Sequence, residues 1–488
     1  MCIYPPLGRV TRSPNDEPTA IECRYEDGTV RIDDLKTAPL SPSSLRESVP
    51  ELEADSRTGC WRVPAYRYAE LRAALWRADA AVEDRVLDLE SVGDLASAYE
   101  LRPYQERALE SWLETDRWAD VPGPESPARA PAGVLELPTG SGKTVIALKA
   151  IERLSVPTLV VVPTIDLLEQ WERELEREFD TPIGRFGGGE QRLEPITVST
   201  YDSAYLKADS VGDRFGFVVF DEAHHLGGEG YREIARLLAA PARVGLTATF
   251  ERPDGAHEVV EALVGPLVHQ VDVDDLAGDH LAAYDLKRLE VSLTPEEREE
   301  YERNQETFTD YLASSNIEMR SGSDYQELVK RSGSDPEARE ALLARQRARE
   351  IMFGSEAKLE ALAGILDDHR DDRVIVFTAH NDLAYDVSER FLIPTITHRT
   401  GTAERREILA RFREGTYGRI ATSNVLDEGV DVPDANVAVV LSGSGSEREF
   451  VQRLGRVLRP KDDGGRAVLY EVITADTGEQ RIAARRRE

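Results

Sequence analysis

The feature that most constrains the fold is a unit that repeats along most of the chain, a short apolar run followed by an amphipathic helical pattern. Between about residues 97 and 270 the apolar runs are Val134–Leu137, Thr158–Val162, Ile196–Ser199, Phe217–Phe220 and Val244–Thr247. After residue 358 they are Val374–Phe377, Thr395–Thr397, Ile420–Thr422, Val437–Leu441 and Ala467–Val472. Strands that alternate with helices form parallel sheets covered by helices on both faces. The sequence therefore predicts two α/β domains in tandem.

Two further segments do not follow this pattern. The first begins with many turn-forming residues and continues with an aromatic and basic stretch from Trp61 to Tyr68, which predicts a small α+β module. The second is highly charged, and its capping box at Thr294 and Glu297, with proline at the first helical position, marks the start of a helix. We therefore predict a small module over 1–92, an α/β domain over 93–285, a helical insert over 286–355 and a second α/β domain over 356–488.

A glycine-rich loop follows the first predicted strand and opens a helix. A strict phosphate-binding loop begins with glycine, where this chain has Leu137. Gly140 and Gly142 let successive N–H groups point at phosphate oxygens, to which the helix N-terminus adds positive potential. Lys143 is predicted to reach the β- and γ-phosphates and the Thr144 hydroxyl to bind Mg²⁺. The predicted ATP contacts in this loop are Pro138, Thr139, Gly140, Ser141, Gly142, Lys143 and Thr144. The alternative is a loop with a purely structural role.

Two adjacent carboxylates, Asp221 and Glu222, follow the apolar run Phe217–Phe220. A parallel strand would deliver them to the edge of the sheet beside the phosphate loop. Asp221 is the predicted Mg²⁺ partner, through the water shell of the ion, and Glu222 the base that deprotonates the attacking water. His224 has two interpretations, a packed polar residue or a relay of the nucleotide state, whereas we expect His225 to be structural.

An arginine pair lies more than 200 residues further along, in the predicted helix Gln452–Pro460. Arg456 and Arg459 are three positions apart and share one helix face. A guanidinium suits the charge that develops on a transferring phosphoryl group. An arginine pair is usually a solvated face, but the other two motifs favour a catalytic role for Gln452, Arg456 and Arg459.

Together these motifs resemble superfamily 2 helicases, over about 380 residues and in the order of that superfamily. The resemblance implies two RecA-like lobes with ATP bound between them. It assigns adenine recognition to Gln105, nucleic-acid contacts to Thr164, Thr200, Thr378 and Thr422, coupling to Thr247 and Thr249, and nucleotide contacts to Asp427 and Gly429.

Within the superfamily the chain most resembles the XPB family of DNA repair and transcription helicases. The resemblance rests on the string Asp221–Leu226, the string Thr247–Arg252, the helical insert, which is similar to a thumb, and the N-terminal module, which is similar to a damage-recognition domain. It implies an ATP-dependent DNA helicase or translocase in nucleotide excision repair or transcription-linked duplex opening. Where the family has Arg-Glu-Asp, this chain reads Arg252, Pro253 and Asp254; the proline removes a charge and an N–H, which argues against strand separation but not against ATP hydrolysis.

The net charge of −31 at first argues against a nucleic-acid partner. However, 91 acidic residues are spread along the chain and only 8 of the 60 basic residues are lysine. This composition is typical of adaptation to a salt-rich cytoplasm. Because molar salt screens charge within about 3 Å, net charge is then a poor guide to DNA binding.

Other expectations follow from the sequence. We expect a cytoplasmic protein without membrane spans or an export signal, with cysteines that are reduced and incidental, working as a single-chain motor with a possible companion nuclease. Trp61, Arg62 and Tyr66 could stack on distorted DNA, although core packing is the commoner role for such a cluster. Three alternatives stay open: an RNA helicase, the motor subunit of a restriction-type nuclease, and a scaffold that binds ATP without turnover.

Overall fold

The computed structural model describes residues 20–35, 41–116, 130–138, 140–228, 230–250, 255–271, 284–315, 317, 322–423, 435–442 and 467–480. These residues fall into two compact units that divide between residues 271 and 284. Among the described residues, no helix is long and apolar enough to cross a membrane.

The N-terminal part of the first unit is a small α+β module built on one mixed sheet. Its elements are β1 (Ile21–Glu26), β2 (Thr29–Asp33), α1 (Pro42–Ser48), β3 (Glu53–Ala54), β4 (Trp61–Pro64), α2 (Tyr68–Arg77) and β5 (Val82–Arg85). The strand order is β3-β4-β2-β1-β5. Asp27 and Gly28 turn the hairpin between β1 and β2 with φ of 49° and 79°, the left-handed backbone that a two-residue hairpin needs. The predicted α+β module is confirmed.

This module packs directly on the α/β part of the same unit. The Tyr25 hydroxyl lies 2.8 Å from the carbonyl oxygen of Asp209 and 3.0 Å from that of Leu237. Tyr66 is buried within the core of the α/β part, and its hydroxyl donates to Glu51. Core packing is therefore the correct interpretation for Tyr66, which is not a free stacking surface.

The other two residues of that aromatic cluster are also engaged within the protein. Arg62 pairs with Glu26 and Asp55. Trp61 lies under the guanidinium of Arg46, 5.2 Å from the ring centre. The two described cysteines, Cys23 and Cys60, are free and buried. Burial raises the pKa of the Cys23 thiol to about 12, which makes it unreactive.

The rest of the first unit is an α/β lobe, here called the first lobe. Its strands are β6 (Ala132–Glu136), β7 (Thr158–Val162), β8 (Ile183–Gly187), β9 (Glu190–Arg192), β10 (Ile196–Thr200), β11 (Phe217–Asp221), β12 (Ala242–Thr247) and β13 (Leu267–Gln270). Its helices are α3 (Pro103–Glu114), α4 (Lys143–Leu154), α5 (Ile165–Glu178), α6 (Tyr201–Tyr205), α7 (Ala208–Val211), α8 (Arg232–Leu237) and α9 (Ala256–Leu263). The strand order is β13-β6-β12-β11-β7-β10-β8-β9.

The first-lobe sheet is parallel except for the β8–β9 hairpin. Every residue of β6, β7, β10, β11 and β12 is buried, as expected for strands covered on both faces. These are the five strands that the apolar runs predict, to within two residues at each end. Strands β8, β9 and β13 were not predicted, because β9 is wholly exposed and the other two lack a continuous apolar run.

The second unit contains a second parallel sheet with strand order β14-β19-β18-β15-β17-β16. Its strands are β14 (Tyr284–Val291), β15 (Val374–Phe377), β16 (Thr395–Ile396), β17 (Arg419–Thr422), β18 (Val437–Val440) and β19 (Ala467–Thr474). Its helices are α10 (Pro295–Ser315), α11 (Gly322–Arg331), α12 (Pro336–Phe353), α13 (Glu356–Asp368), α14 (Asn381–Phe391) and α15 (Thr402–Arg413). The two tandem parallel-sheet lobes are confirmed.

The charged insert is helical as predicted, and its start is capped as the sequence indicates. The Thr294 N–H donates to Glu297 at 2.9 Å, and the Glu297 N–H donates to the Thr294 hydroxyl at 3.2 Å. Helices α10, α11 and α12 build small apolar clusters of their own. Strand β14 precedes them and pairs in parallel with β19, so the predicted limit at residue 285 falls within a strand of the second sheet.

Candidate functional site: one edge of the first-lobe sheet

Five motifs of the first lobe lie at the carboxyl ends of five neighbouring parallel strands. In sheet order, β6 leads into the phosphate loop, β12 ends at Thr247, β11 ends at Asp221, β7 leads to Thr164 and β10 ends at Thr200. Ligand sites of open α/β sheets lie at this edge. The fold therefore gathers on one edge residues that are up to 110 positions apart in the sequence.

The phosphate loop has the backbone that anion binding requires. Gly140 and Gly142 both have φ of 79°, and Gly142 directly precedes helix α4. The N–H groups of the first helical turn have no partner within the helix and carry positive potential. Lys143 is buried at the start of α4, where its Nζ donates to the Leu137 carbonyl at 3.1 Å. Thr144, half-buried, follows it in the first turn.

Gln105 braces the phosphate loop from helix α3. Its side-chain oxygen accepts the Arg102 N–H at 2.9 Å, and its Nε2 donates to the Ser141 carbonyl at 2.7 Å. The Tyr104 hydroxyl donates to the same carbonyl at 2.6 Å. A Cβ atom on Gly142 would lie 2.4 Å from Gln105 Nε2, so this contact depends on glycine. The predicted adenine contact of Gln105 stays a prediction.

The two carboxylates are buried at the end of β11. The Asp221 Oδ2 accepts the Trp171 indole N–H at 2.8 Å, and its Oδ1 accepts the Glu222 N–H at 3.0 Å. The Tyr201 hydroxyl donates to the Asp221 backbone carbonyl at 3.0 Å. Glu222 has φ of 48°, a left-handed backbone that costs a non-glycine residue about 1 kcal/mol or more. Strain of this kind is typical of functional sites.

His224 connects the carboxylates with the end of β12. Its Nδ1 lies 3.3 Å from the Thr247 hydroxyl and 3.7 Å from a Glu222 carboxylate oxygen. The Thr247 hydroxyl also accepts the Thr249 N–H at 3.1 Å. His225 packs instead against its neighbours, with ring centres 4.6 Å from His224 and 5.6 Å from Tyr201. Its placement agrees with the structural role that we expected.

The predicted nucleic-acid threonines hold backbone turns in both lobes. The hydroxyl of Thr164 accepts the Leu167 N–H and caps α5, and that of Thr200 accepts the Ser203 N–H and caps α6. In the second lobe, Thr378 follows β15 and Thr422 ends the neighbouring β17; both are buried, and their hydroxyls donate to backbone carbonyls. The helix-capping role was missed, although threonine before a helical pattern is a recognised capping signal.

Two observations test whether these residues fit ATP with Mg²⁺. Within the described residues, the buried Ser141 hydroxyl has no hydrogen-bond partner, as expected of a group whose partner is a phosphate. The same residues contain no cluster of three or more histidine, cysteine or acidic side chains that could hold a metal by themselves. A magnesium ion brought by the phosphates needs fewer protein ligands, and Thr144 and Asp221 are of the right oxygen type. The donor set fits.

Several predicted site residues lie outside the described part of the chain, and their roles stay predictions. They are Thr139, Arg252, Asp254, Asp427, Gly429, Gln452, Arg456 and Arg459.

Comparison with known proteins agrees with this geometry. Family models match residues 23–86 (Xeroderma pigmentosum group B helicase damage recognition domain), 98–252 (Type III restriction enzyme, res subunit) and 344–488 (ERCC3/RAD25/XPB C-terminal helicase). The chain is 43% identical to the DNA 3'-5' translocase XPB2 of Sulfurisphaera tokodaii over 439 residues, 90% of this chain and 96% of the relative. The chain belongs to the XPB helicase family.

Further similarities support the XPB assignment. The putative DNA 3'-5' helicase Rad25 of Halobacterium salinarum is 32% identical over 96% of this chain and 72% of the relative. The crystal structure of the Pyrococcus furiosus Hef helicase domain matches with a TM-score of 0.52 and 19% identity, over 80% of this chain and 98% of that one, which supports the fold. The predicted enzyme class, an ATP-dependent helicase, is confirmed. The RNA-helicase and restriction-nuclease alternatives are not supported, although the 98–252 model carries a restriction-enzyme description.

Proposed function

We propose that this XPB-family protein moves along DNA in the 3'-5' direction at the expense of ATP, in nucleotide excision repair or transcription-linked duplex opening. The observation that carries the proposal is the alignment of phosphate loop, Thr247, Asp221 and two threonine-capped helices on one sheet edge. The direction and the DNA substrate come from the names of the relatives.

The residues at this edge have different roles in the proposed hydrolysis of ATP. The phosphate loop and Lys143 would hold the β- and γ-phosphates, and Thr144 and Asp221 would hold Mg²⁺, Thr144 through its hydroxyl and Asp221 through the water shell of the ion. When bound, the ion offsets phosphate charge. Glu222 orients the attacking water and takes its proton. Nucleotide contacts from Asp427 and Gly429, and charge stabilisation by Arg456 and Arg459 with Gln452, complete the proposed site on the strength of the sequence motifs.

DNA is held mainly through its phosphates in this proposal. The N-termini of α5 and α6, which Thr164 and Thr200 cap, offer N–H groups and positive potential to a phosphate chain. Thr378 and Thr422 contribute by fixing the corresponding backbone of the second lobe. Contacts of this kind imply little preference for base sequence. Because Pro253 stands between Arg252 and Asp254, translocation without strand separation is the minimal activity that we propose.

The test is ATP hydrolysis at molar KCl with Mg²⁺, measured without nucleic acid and with single-stranded DNA, forked DNA or RNA. We expect stimulation by both DNA substrates and none by RNA. Stimulation by RNA alone would make the chain an RNA helicase, and absence of hydrolysis under all four conditions would leave a scaffold. A displaced-strand assay on the forked DNA separates unwinding from translocation.

The broader biological setting is also a proposal. We propose the domain limits 1–92, 93–285, 286–355 and 356–488 for the damage-recognition module, first lobe, thumb-like insert and second lobe, except that strand β14 (Tyr284–Val291) belongs to the sheet of the second lobe. We further propose a single-chain cytoplasmic motor of the Asp-Glu-Ala-His class, with a companion nuclease as a partner. Co-purification from native cells that yields no nuclease would contradict the last point.

The charge of −31 leads to a prediction about stability. If the composition is an adaptation to a salt-rich cell, removing salt removes the screening between acidic side chains. Their repulsion then destabilises the folded state. We expect the melting temperature in dilute buffer to lie about 10 °C or more below that in molar KCl, the shift that a loss of about 3 kcal/mol produces in a domain of this size. Betaine at equal osmolality, which does not screen charge, is the control. An equal melting temperature in dilute buffer would contradict the adaptation.

A further inference from the structure

Trp171 lies in the middle of helix α5 and holds the side chain of Asp221. Its indole is 1% exposed, and its N–H donates to the Asp221 Oδ2 at 2.8 Å. A hydrogen bond from a neutral donor to a buried carboxylate is stronger than one between neutral groups and fixes the direction of the carboxylate. Leu167, Leu168 and Leu175, each three or four residues from Trp171, are also buried, so Trp171 lies on the buried face of α5, where close packing restricts side chains.

Tyr201 holds the backbone of the same residue from a different helix. It is the first residue of α6, is 1% exposed, and donates its hydroxyl to the Asp221 carbonyl at 3.0 Å. The Tyr201 hydroxyl therefore fixes the backbone position of Asp221, as the Trp171 indole fixes its side chain.

Both helices begin at a predicted DNA contact. Thr164 caps α5 seven residues before Trp171, a distance of about two helical turns, and Thr200 caps α6 directly before Tyr201. A helix moves as a rigid body over so short a distance. A shift of either N-terminus on binding a phosphate chain is therefore carried to a donor that holds Asp221.

We propose that Trp171 and Tyr201 are positioning residues. When DNA binds at the Thr164 and Thr200 turns, their hydrogen bonds bring Asp221 into its aligned position. The inference rests on the proposed function and adds to it a physical route for DNA-stimulated hydrolysis. DNA favours the placement of α5 and α6 in which Asp221 is aligned, and the two hydrogen bonds transmit that preference. Neither residue touches ATP or DNA in this scheme.

The central experiment is Trp171→Phe, which keeps a ring and removes the N–H donor. We measure the ratio of kcat with saturating single-stranded DNA to kcat without DNA, together with KM for ATP and the affinity for DNA. The ratio is expected to fall about tenfold, the rate equivalent of one hydrogen bond to a charged group, while KM and DNA affinity stay within about twofold. Tyr201→Phe should lower the ratio as well. The double variant should lose less than the sum of the two effects on a free-energy scale, because both act on one residue.

Trp112 provides the matched control. It is as buried as Trp171 and belongs to the same lobe, but its indole N–H donates to the Arg243 carbonyl at 2.9 Å. Trp112→Phe removes an equivalent hydrogen bond without touching Asp221, so it should lower the melting temperature and leave the stimulation ratio unchanged.

The outcomes separate this inference from the proposed function. A wild-type protein that DNA does not stimulate overturns both. If the wild type is stimulated, the inference alone is overturned when Trp171→Phe keeps the wild-type ratio, when basal and stimulated rates fall equally, or when Trp112→Phe lowers the ratio as much.

Discussion

Replacing Glu222 with glutamine is expected to abolish ATP turnover while ATP still binds. The substitution preserves the shape of the side chain and the left-handed backbone at φ of 48°. An amide cannot accept the proton of the attacking water, so kcat should fall by about 10²–10⁴-fold, the contribution of a positioned base. In the proposed site the ATP contacts come from the phosphate loop, which follows β6, two strands away from Glu222 in the sheet, so the dissociation constant for ATP should change only about twofold or less. Steady-state hydrolysis with DNA and equilibrium binding of a fluorescent ATP analogue provide the two measurements.

The matched control for this change is Glu261→Gln. Glu261 is an exposed residue of helix α9, so the same loss of charge there should leave turnover and stability at wild-type values. If Glu222→Gln hydrolyses ATP at the wild-type rate while its melting temperature also matches, Glu222 is not the base. Loss of ATP binding with the loss of turnover would instead indicate a role in nucleotide affinity.

The sequence predicted the parts of the fold that depend on local pattern. Strands β7 and β15 agree with their predicted limits because a strand covered on both faces requires an uninterrupted apolar run. The prediction that the motifs share one edge of the sheet followed from the strands, since parallel strands present their carboxyl ends on one side of the sheet. The positions of Lys143 and Asp221 could therefore be predicted without knowledge of the strand order.

Features that depend on distant contacts escaped prediction. Strand β14 mixes charged with apolar residues and has no continuous apolar run, and it pairs with β19, whose residues lie 183 positions away in the sequence. In the sequence, Trp171 occupies an ordinary apolar position of an amphipathic helix. The residues around it give no indication of a hydrogen-bond partner 50 residues away at Asp221. The braces on Asp221 are therefore visible only in the folded protein.

The sequence gives the wrong indication of burial for Arg243. Replacing this residue is the change from which we expect the largest effect on stability. An arginine in a strand suggests a surface position, yet this one is 0% exposed. Its guanidinium donates to the carbonyls of Ala235 at 2.8 Å, Leu238 at 2.5 Å, Ala240 at 3.0 Å and Leu263 at 2.8 Å. Ala235 and Leu263 belong to the last turns of α8 and α9, where carbonyls lack helical partners and carry negative potential.

Arg243→Met should therefore lower the free energy of unfolding by about 3–5 kcal/mol, because methionine fills much of the volume but leaves buried carbonyls unpaired. The midpoint of urea unfolding at constant molar KCl measures the effect. Arg153→Met is the control: Arg153 is 57% exposed and forms an ion pair with Glu110 at 3.3 Å, so its loss should cost less than about 1 kcal/mol. Equal midpoints for the two variants would mean that water or rearranged backbone satisfies the four carbonyls. A large loss confined to Arg243→Met would show that a buried cation joins the ends of α8 and α9 and supports strand β12, which carries Thr247 to the site.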